Sequence, residues 1–300
     1  VQETFATTVL LPAALALIMF GLGLTLTPAD FARIARRPRA VLVALVCQVL
    51  VLPLVCFGLV KAFGLAPEMA VGMMLLAAAP GGTAANLFSH LAGGDVALNI
   101  TLTAVNSVLA LFTLPLVVGF ALEHFMAGGE VGMQTGKVVQ VICLVLVPAA
   151  LGMAVRHRAA GFAARMDRPV KGMSIAVLVA MTVGVAYQER ARLLDSLAEV
   201  GLITTLFCAL SLATGYGASR LLRVEPRQAI ASAMEIGLHN VTLAITVALS
   251  VLGNAAMAVP PAVYTLPMYG LAALTAVAFV RRARAAAGAP DGERAADAAV

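Results

Sequence analysis

Ala231-Ser-Ala-Met-Glu235-Ile-Gly237-Leu-His239-Asn240-Val-Thr-Leu-Ala-Ile245 is a polar insertion in an apolar stretch, and its reading decides the fold. The chain has 15 acidic residues, and Glu235 is the one set deep inside an apolar run. The others fall in connections, tails or span ends. A carboxylate at bilayer depth is costly, so such a residue is as a rule partnered and functional. Its neighbours Gly237, His239 and Asn240 suit a broken helix that lines a polar cavity. A buried glutamate that only packs is the plainer alternative.

The composition around this insertion points to a membrane. The 300 residues are 61% hydrophobic and 12% charged, with a mean hydropathy of +0.98. Soluble domains carry about 25% charged residues. The apolar runs approach the roughly 20 residues that cross a bilayer as a helix, and they lack the short alternating segments of an outer-membrane barrel. The predicted class is therefore an all-α polytopic membrane protein, whose spans satisfy their own backbone polar groups. Net charge +5 reads as cytoplasmic loop bias and not as a nucleic-acid surface. Cys47, Cys56, Cys143 and Cys208 lie within apolar runs without metal-binding spacing, which implies no disulfide framework. Val1 to Thr8 has no basic leader region, so no cleavable signal is read there.

Nine spans are expected, at about 8–27, 40–60, 69–92, 95–119, 137–156, 169–187, 197–218, 227–252 and 257–280. Residues 282–300, Ala-rich with Gly288 and Pro290, are expected to form a disordered tail. If the N-terminus is outside, the inner connections hold all but four of the 20 basic residues. Those four are Lys61, Lys137, Arg190 and Arg192. The bias sets the N-terminus outside and the C-terminus in the cytoplasm, in an inner or plasma membrane.

Two spans are interrupted. Span three contains Pro80-Gly-Gly-Thr83-Ala-Ala-Asn86, where Pro removes a backbone donor and paired Gly favours unwinding. Span eight carries Glu235 to Asn240. The two are five spans apart and so cross in opposite directions. Spans one to four then align with six to nine as an inverted repeat, residues 1–119 against 120–281, with span five unpartnered. Interruptions at matching places in inverted halves point to a transport site near the midplane.

Polar residues gather on the same spans. Span two has Gln48, span three Asn86, and span four Asn99, Thr103 and Asn106. The last three follow i, i+4, i+7 spacing and share one helix face. Carboxylate, amide and hydroxyl oxygens are hard ligands that suit an alkali cation such as Na⁺ and not zinc or copper. Interhelical hydrogen bonding is the plainer use of the same residues.

At these residues the chain resembles the bile acid:sodium symporter family. The likeness runs over roughly 8–281 and is carried by Pro80 to Asn86, by Gly94-Asp95-Val-Ala-Leu98 and by Glu235 to Asn240. The resemblance implies a core of spans two to four and seven to nine with two crossed discontinuous helices, and a panel of spans one, five and six. Many members have ten spans, the extra one standing where span five here lacks a partner. The resemblance also implies two sodium sites. The first would use Asn86, Asn99, Thr103 and Glu235, with Ala85 and Asn99 standing where the family usually has Ser. The second would use Gln48, Glu235, the carbonyls of Ile236 and Leu238, and His239, where the family usually has Gln. Imidazole has no oxygen to offer, so sodium binding there is in question, and His239 could instead make the cycle proton-sensitive.

The function that follows is a secondary active transporter coupling Na⁺ to uptake of an organic anion by alternating access. The second half-helices begin near Thr83 to Asn86 and Asn240 to Thr242, where positive dipole ends favour a carboxylate or sulfonate. Thr83, Asn86, Asn240 and Thr242 are the expected substrate contacts. The resemblance suggests bile acids or small acids such as pantoate, without choosing among them or implying an oligomeric state. The alternatives are a cation/proton antiporter or a proton-coupled anion carrier. An antiporter usually leans on intramembrane Asp, whereas every Asp here lies at a span end or in a tail. The spans contain no Ser-His or paired-Asp arrangement, so an enzyme is not expected, and Na⁺ is the only expected cofactor.

Overall fold

The computed structural model describes residues 11–25, 37–126, 135–166 and 193–288, with 169, 172, 173 and 176 besides. The described residues are helical almost throughout. In order they form α1 (Leu11–Thr25), α2 (Pro38–Phe63), α3 (Pro67–Ala78), α4 (Thr83–Leu91), α5 (Val96–Met126) and α6 (Thr135–Arg158). Then come α7 (Leu193–Leu221), α8 (Pro226–Gly237), α9 (Val241–Ser250) and α10 (Val259–Gly288). Most of the span expected at 169–187 lies outside the described residues.

Among the described residues, four helical stretches are long and apolar enough to cross a membrane: Pro38–Phe63, Val96–Met126, Ala198–Leu221 and Ala256–Ala285. Their exposed side chains show which faces meet lipid. Leu42, Val46, Leu50 and Leu54 repeat every four residues along α2. Phe112, Leu116 and Phe120 do so on α5, and Leu202, Leu206 and Leu210 on α7. Apolar stripes of this extent do not face water in monomeric proteins. By contrast α3 is buried on every side from Ala70 to Ala78, as expected of a uniformly apolar helix at the centre of a bundle.

One helix pair packs mainly on itself, with lesser contacts of α1 to α9 and of α6 to α5. α1 packs chiefly on α6. A Cβ on Gly23 would overlap the Ala149 carbonyl, and one on Gly152 would overlap the Phe20 carbonyl. Small residues of this kind let membrane helices approach backbone to backbone. α7 packs on α8 and α10, while α3 packs on α5, α9 and α10.

The interruptions are shorter than the sequence suggests. Ala79 is extended (φ −69°, ψ 136°), as a residue before Pro must tend to be, but the helix resumes at Thr83, well inside the expected break at 80–86. The second break spans only Leu238 to Asn240, not the expected 235–240. Glu235 thus lies in the last turn of α8, still helical, and Gly237 does not unwind the chain. The two breaks meet. Gly81 and His239 form an antiparallel bridge. Gly82 N–H donates to Leu238 O (2.8 Å), and Asn240 N–H donates to Pro80 O (2.7 Å). Each break thereby supplies hydrogen bonds that the other has lost, as buried backbone in a bilayer requires. α10 also runs beyond its expected end: residues 282–288, expected as tail, are helical. The Ala-rich segment there is strongly helix-forming.

One end of the bundle is clasped by charge. Arg37 Nη1 lies 2.7 Å from Asp95 Oδ2 and 3.8 Å from Glu225 Oε2. Asp95 Oδ1 accepts from Leu98 N–H (3.1 Å), capping α5. Asp95→Asn is expected to keep the cap and lose the ion pair. It should lower stability by less than about 1 kcal/mol, because Arg37 is 44% exposed. Asp95→Ala loses both and should cost about 1 kcal/mol more. Melting temperatures of the two variants in detergent check the difference.

Candidate cation and substrate site at the helix crossing

Glu235 is fully buried and is held from α5. Its Oε2 accepts from Thr103 Oγ1 (2.6 Å) and its Oε1 from Asn106 Nδ2 (3.2 Å). Gly81 of the first break lies directly against the carboxyl group, where a Cβ would overlap it. One turn earlier on α8, Ala231 O accepts from Asn99 Nδ2 (2.9 Å). The face shared by Asn99, Thr103 and Asn106 is therefore turned onto α8.

These bonds fix the amide orientations. Only an NH₂ group can face the Ala231 carbonyl or the Glu235 carboxylate, so the oxygens of Asn99 and Asn106 point elsewhere. Both oxygens are buried without a partner, as is Asn86 Oδ1 on α4. α4 in turn packs on α5 and α8. Of the expected first set, the structure thus joins Thr103 and Glu235 side chain to side chain, while the Asn99 side chain bonds the same helix at Ala231 O. Asn86 stands on an adjoining helix with its oxygen free.

Two members of the expected second set, Gln48 and His239, meet at one carbonyl. Ala79 O accepts from Gln48 Nε2 (3.1 Å) and lies 3.1 Å from His239 Nδ1. A carbonyl only accepts, so Nδ1 carries the proton and Nε2 presents a lone pair, buried without a partner. The ring stacks on Phe207 (centroids 5.4 Å, 14° between planes) and meets Tyr264 edge-on at 5.6 Å. The Tyr264 hydroxyl donates to Gly237 O (2.8 Å), closing the end of α8. Leu238 O is already used by Gly82. Ile236 O loses its helical donor, because Asn240 N–H turns to Pro80.

Gln48 reaches Ala79 from a π-helical segment of α2, Cys47–Val51, in which Leu52 N–H bonds Cys47 O. Pro53 follows at once. It has no N–H and crowds the preceding turn, and single wide turns of this kind recur at functional sites.

The expected substrate contacts fall at helix N-termini. Thr83 opens α4, with Asn86 in its first turn. Asn240 caps α9, its Oδ1 accepting from Leu243 N–H (3.1 Å), and Thr242 follows half-buried.

The sequence signal found Asn106 by its spacing but did not place it in either ligand set. Gly81 and Tyr264 were missed, because their roles depend on partners remote in sequence.

Two interrupted helices whose breaks pair beside a buried carboxylate and unpartnered amide oxygens suit a membrane transporter of the ion-coupled class. The family model described as Sodium Bile acid symporter family matches residues 12–196, and the chain belongs to that family. It is 29% identical over 253 residues to an uncharacterized sodium-dependent transporter, YocS, of Bacillus subtilis (strain 168), covering 84% of this chain and 77% of that one. It is 27% identical over 235 residues to the ileal sodium/bile acid cotransporter of Oryctolagus cuniculus, covering 78% and 67%. It is 31% identical over 233 residues to sodium/bile acid cotransporter 4 of Homo sapiens, covering 77% and 53%. The chain therefore spans between about half and three quarters of these relatives. The family is one of transporters and not enzymes.

Proposed function

We propose that this chain couples the inward movement of Na⁺ to uptake of an organic anion, as a secondary active transporter working by alternating access. The observation that carries the reading is Glu235, buried between Thr103 and Asn106 beside amide oxygens that lack partners. A carboxylate with several free neutral oxygens is the donor set of a hard monovalent cation. Na⁺ is cargo here, held at a first site by Asn86, Asn99, Thr103 and Glu235. Gln48, Ile236 and Leu238 contribute to a second.

The anion binds where α4 and α9 begin. Asn240 has its oxygen committed to the α9 cap, which leaves its NH₂ group as a donor toward a ligand. Helix N-termini favour negative charge. Asn86 and Thr242 complete that surface, with Thr83 at the first position of α4. The names of the relatives favour a bile-acid-like substrate, and a small carboxylate suits the same donors. Nine spans in an inverted repeat, N-terminus outside, give this reading its architecture. The close packing of α1 on α6, with lesser contacts to α9 and α5, supports a panel that moves against a core.

A thermal-shift screen of small organic anions with and without Na⁺ tests the proposal. A true substrate should raise the melting temperature in Na⁺ and much less in K⁺, since a ligand that binds only the native state stabilises by mass action, by about 2.7 kcal/mol at one hundred times its Kd. Equal shifts in both salts would remove sodium coupling.

A further inference from the structure

α7 and α10 run in the same direction, since Phe207 meets Tyr264 and, farther along both helices, Tyr216 meets Phe279 (centroids 6.0 and 4.8 Å). One turn past that second pair the sequence turns basic. Arg220 and Arg223 stand at and just past the end of α7, and Arg281, Arg282 and Arg284 lie on the last turns of α10, all of them exposed. Carboxylates do not balance them. From Val200 to Gly288 the acids are Glu225 and Glu235. Glu235 is buried at the crossing, and Glu225 faces Arg37 (3.8 Å) and accepts from Gln228 (3.1 Å). Arg220 spends one nitrogen on Val224 O (3.0 Å). Among the described residues the other four arginine side chains make no ion pair or hydrogen bond.

Arg223 adds a second observation. Its backbone is left-handed (φ 56°), the one non-glycine with positive φ among the described residues. It closes α7, where Arg223 N–H bonds Arg220 O (3.0 Å) and Val224 N–H bonds Ser219 O (2.8 Å), a position that glycine usually fills. An L side chain is strained there, so a guanidinium group is held at this helix end against a backbone cost. Beside it Leu221 is 83% exposed, an apolar side chain set among charges. Arginines at the end of a membrane helix pair, with an open leucine beside them and an aromatic pair one turn deeper, follow the layering of a bilayer surface. We propose that the ends of α7 and α10 bind the headgroup of an anionic phospholipid in the adjoining leaflet. The planar guanidinium forks take its phosphate oxygens in pairs, and Leu221 and Leu222 meet the start of its acyl chains. A zwitterionic headgroup carries its own ammonium to the same arginines and is held less well. The site shares no residue with the helix crossing, so its test is independent of sodium coupling.

Native mass spectrometry of the purified full-length protein, titrated with phosphatidylglycerol or with phosphatidylcholine of the same acyl chains, tests this. Wild type should hold phosphatidylglycerol at least about tenfold more tightly, since each basic residue near an anionic headgroup is worth roughly fivefold. Arg281→Gln, Arg282→Gln and Arg284→Gln combined should bring the two lipids level. Arg223→Gly should weaken phosphatidylglycerol binding roughly fivefold while the melting temperature stays the same or rises, because glycine relieves the strained backbone. A side chain that served only the fold would not divide the two readouts in this way. Lys61→Gln removes one positive charge at the opposite end of α2 and should leave the lipid preference unchanged. The proposal is overturned if wild type does not prefer phosphatidylglycerol, if the combined variant keeps the preference, or if Lys61→Gln lowers it as much as Arg223→Gly does. A preference that emerges only when residues 289–300 are removed would also overturn it, assigning the arginines to Asp291, Glu293 and Asp297 of that segment instead.

Discussion

Glu235→Ala is expected to abolish sodium-driven uptake, by at least about two orders of magnitude, since even outer-shell partners of a metal site are worth 10–100-fold. The carboxylate is the only acid at the crossing among the described residues, and both proposed ions depend on it. The change also strands Asn106 Nδ2, which donates to it, whereas Thr103 Oγ1 can turn to Asn99 O (3.1 Å). A buried donor without an acceptor costs about 1–3 kcal/mol, partly offset because a charged group no longer has to be buried. Glu235→Gln separates these effects, since its amide keeps the shape and one acceptor oxygen but not the charge. Both variants should elute as a single species in detergent while uptake into proteoliposomes under a Na⁺ gradient is lost. Wild-type sodium dependence in Glu235→Gln would refute the central role of the charge.

Gly81→Ala is expected to produce the second largest effect, from a single added methyl group. That carbon would occupy the space of the Glu235 carboxyl group. The carboxylate cannot simply swing aside, because it is fully buried and bonded on both oxygens. Either the carboxylate leaves Thr103 and Asn106, or the bridge between Gly81 and His239 opens. Overpacking of this kind costs about 1–3 kcal/mol. If it falls on the ion site, that range corresponds to roughly a five- to 150-fold rise in the Na⁺ concentration for half-maximal uptake. Unchanged sodium dependence together with an unchanged melting temperature would show that the crossing has slack that the geometry does not suggest.

The places where the fold breaks were legible because Pro80 and Glu235 each violate the rule of the span that holds them. Pro80 removes a donor and Glu235 places a charge among apolar neighbours, and both facts are local. Local reasoning could not locate the ends of the breaks. Thr83 resumes the helix and Gly237 stays within one because neighbouring segments complete the bonding, and the chain-wise pattern carries no record of those neighbours. The same holds for His239. Its type was read as a ligand or titrating group, while its surroundings, Phe207 and Tyr264, come from two other helices. Asn106 lies between these cases. Its face was read correctly from spacing, but its bond to Glu235 emerges only when α5 and α8 are packed.

The mutual pairing of the two breaks also constrains how the protein can be made. Pro80 O finds its donor at Asn240, and Gly82 finds its acceptor at Leu238. A ribosome that has delivered the first interrupted span must therefore synthesise most of the remaining chain before those partners exist. Until then the groups at 80–82 sit at membrane depth unsatisfied, a state that protein or water must shelter. Closure of the crossing is thus a late event in biogenesis, and long-range pairing of this kind is intrinsically slow. Truncation before residue 240 should leave a nascent chain that inserts its early spans yet stays open to proteolysis at Pro80.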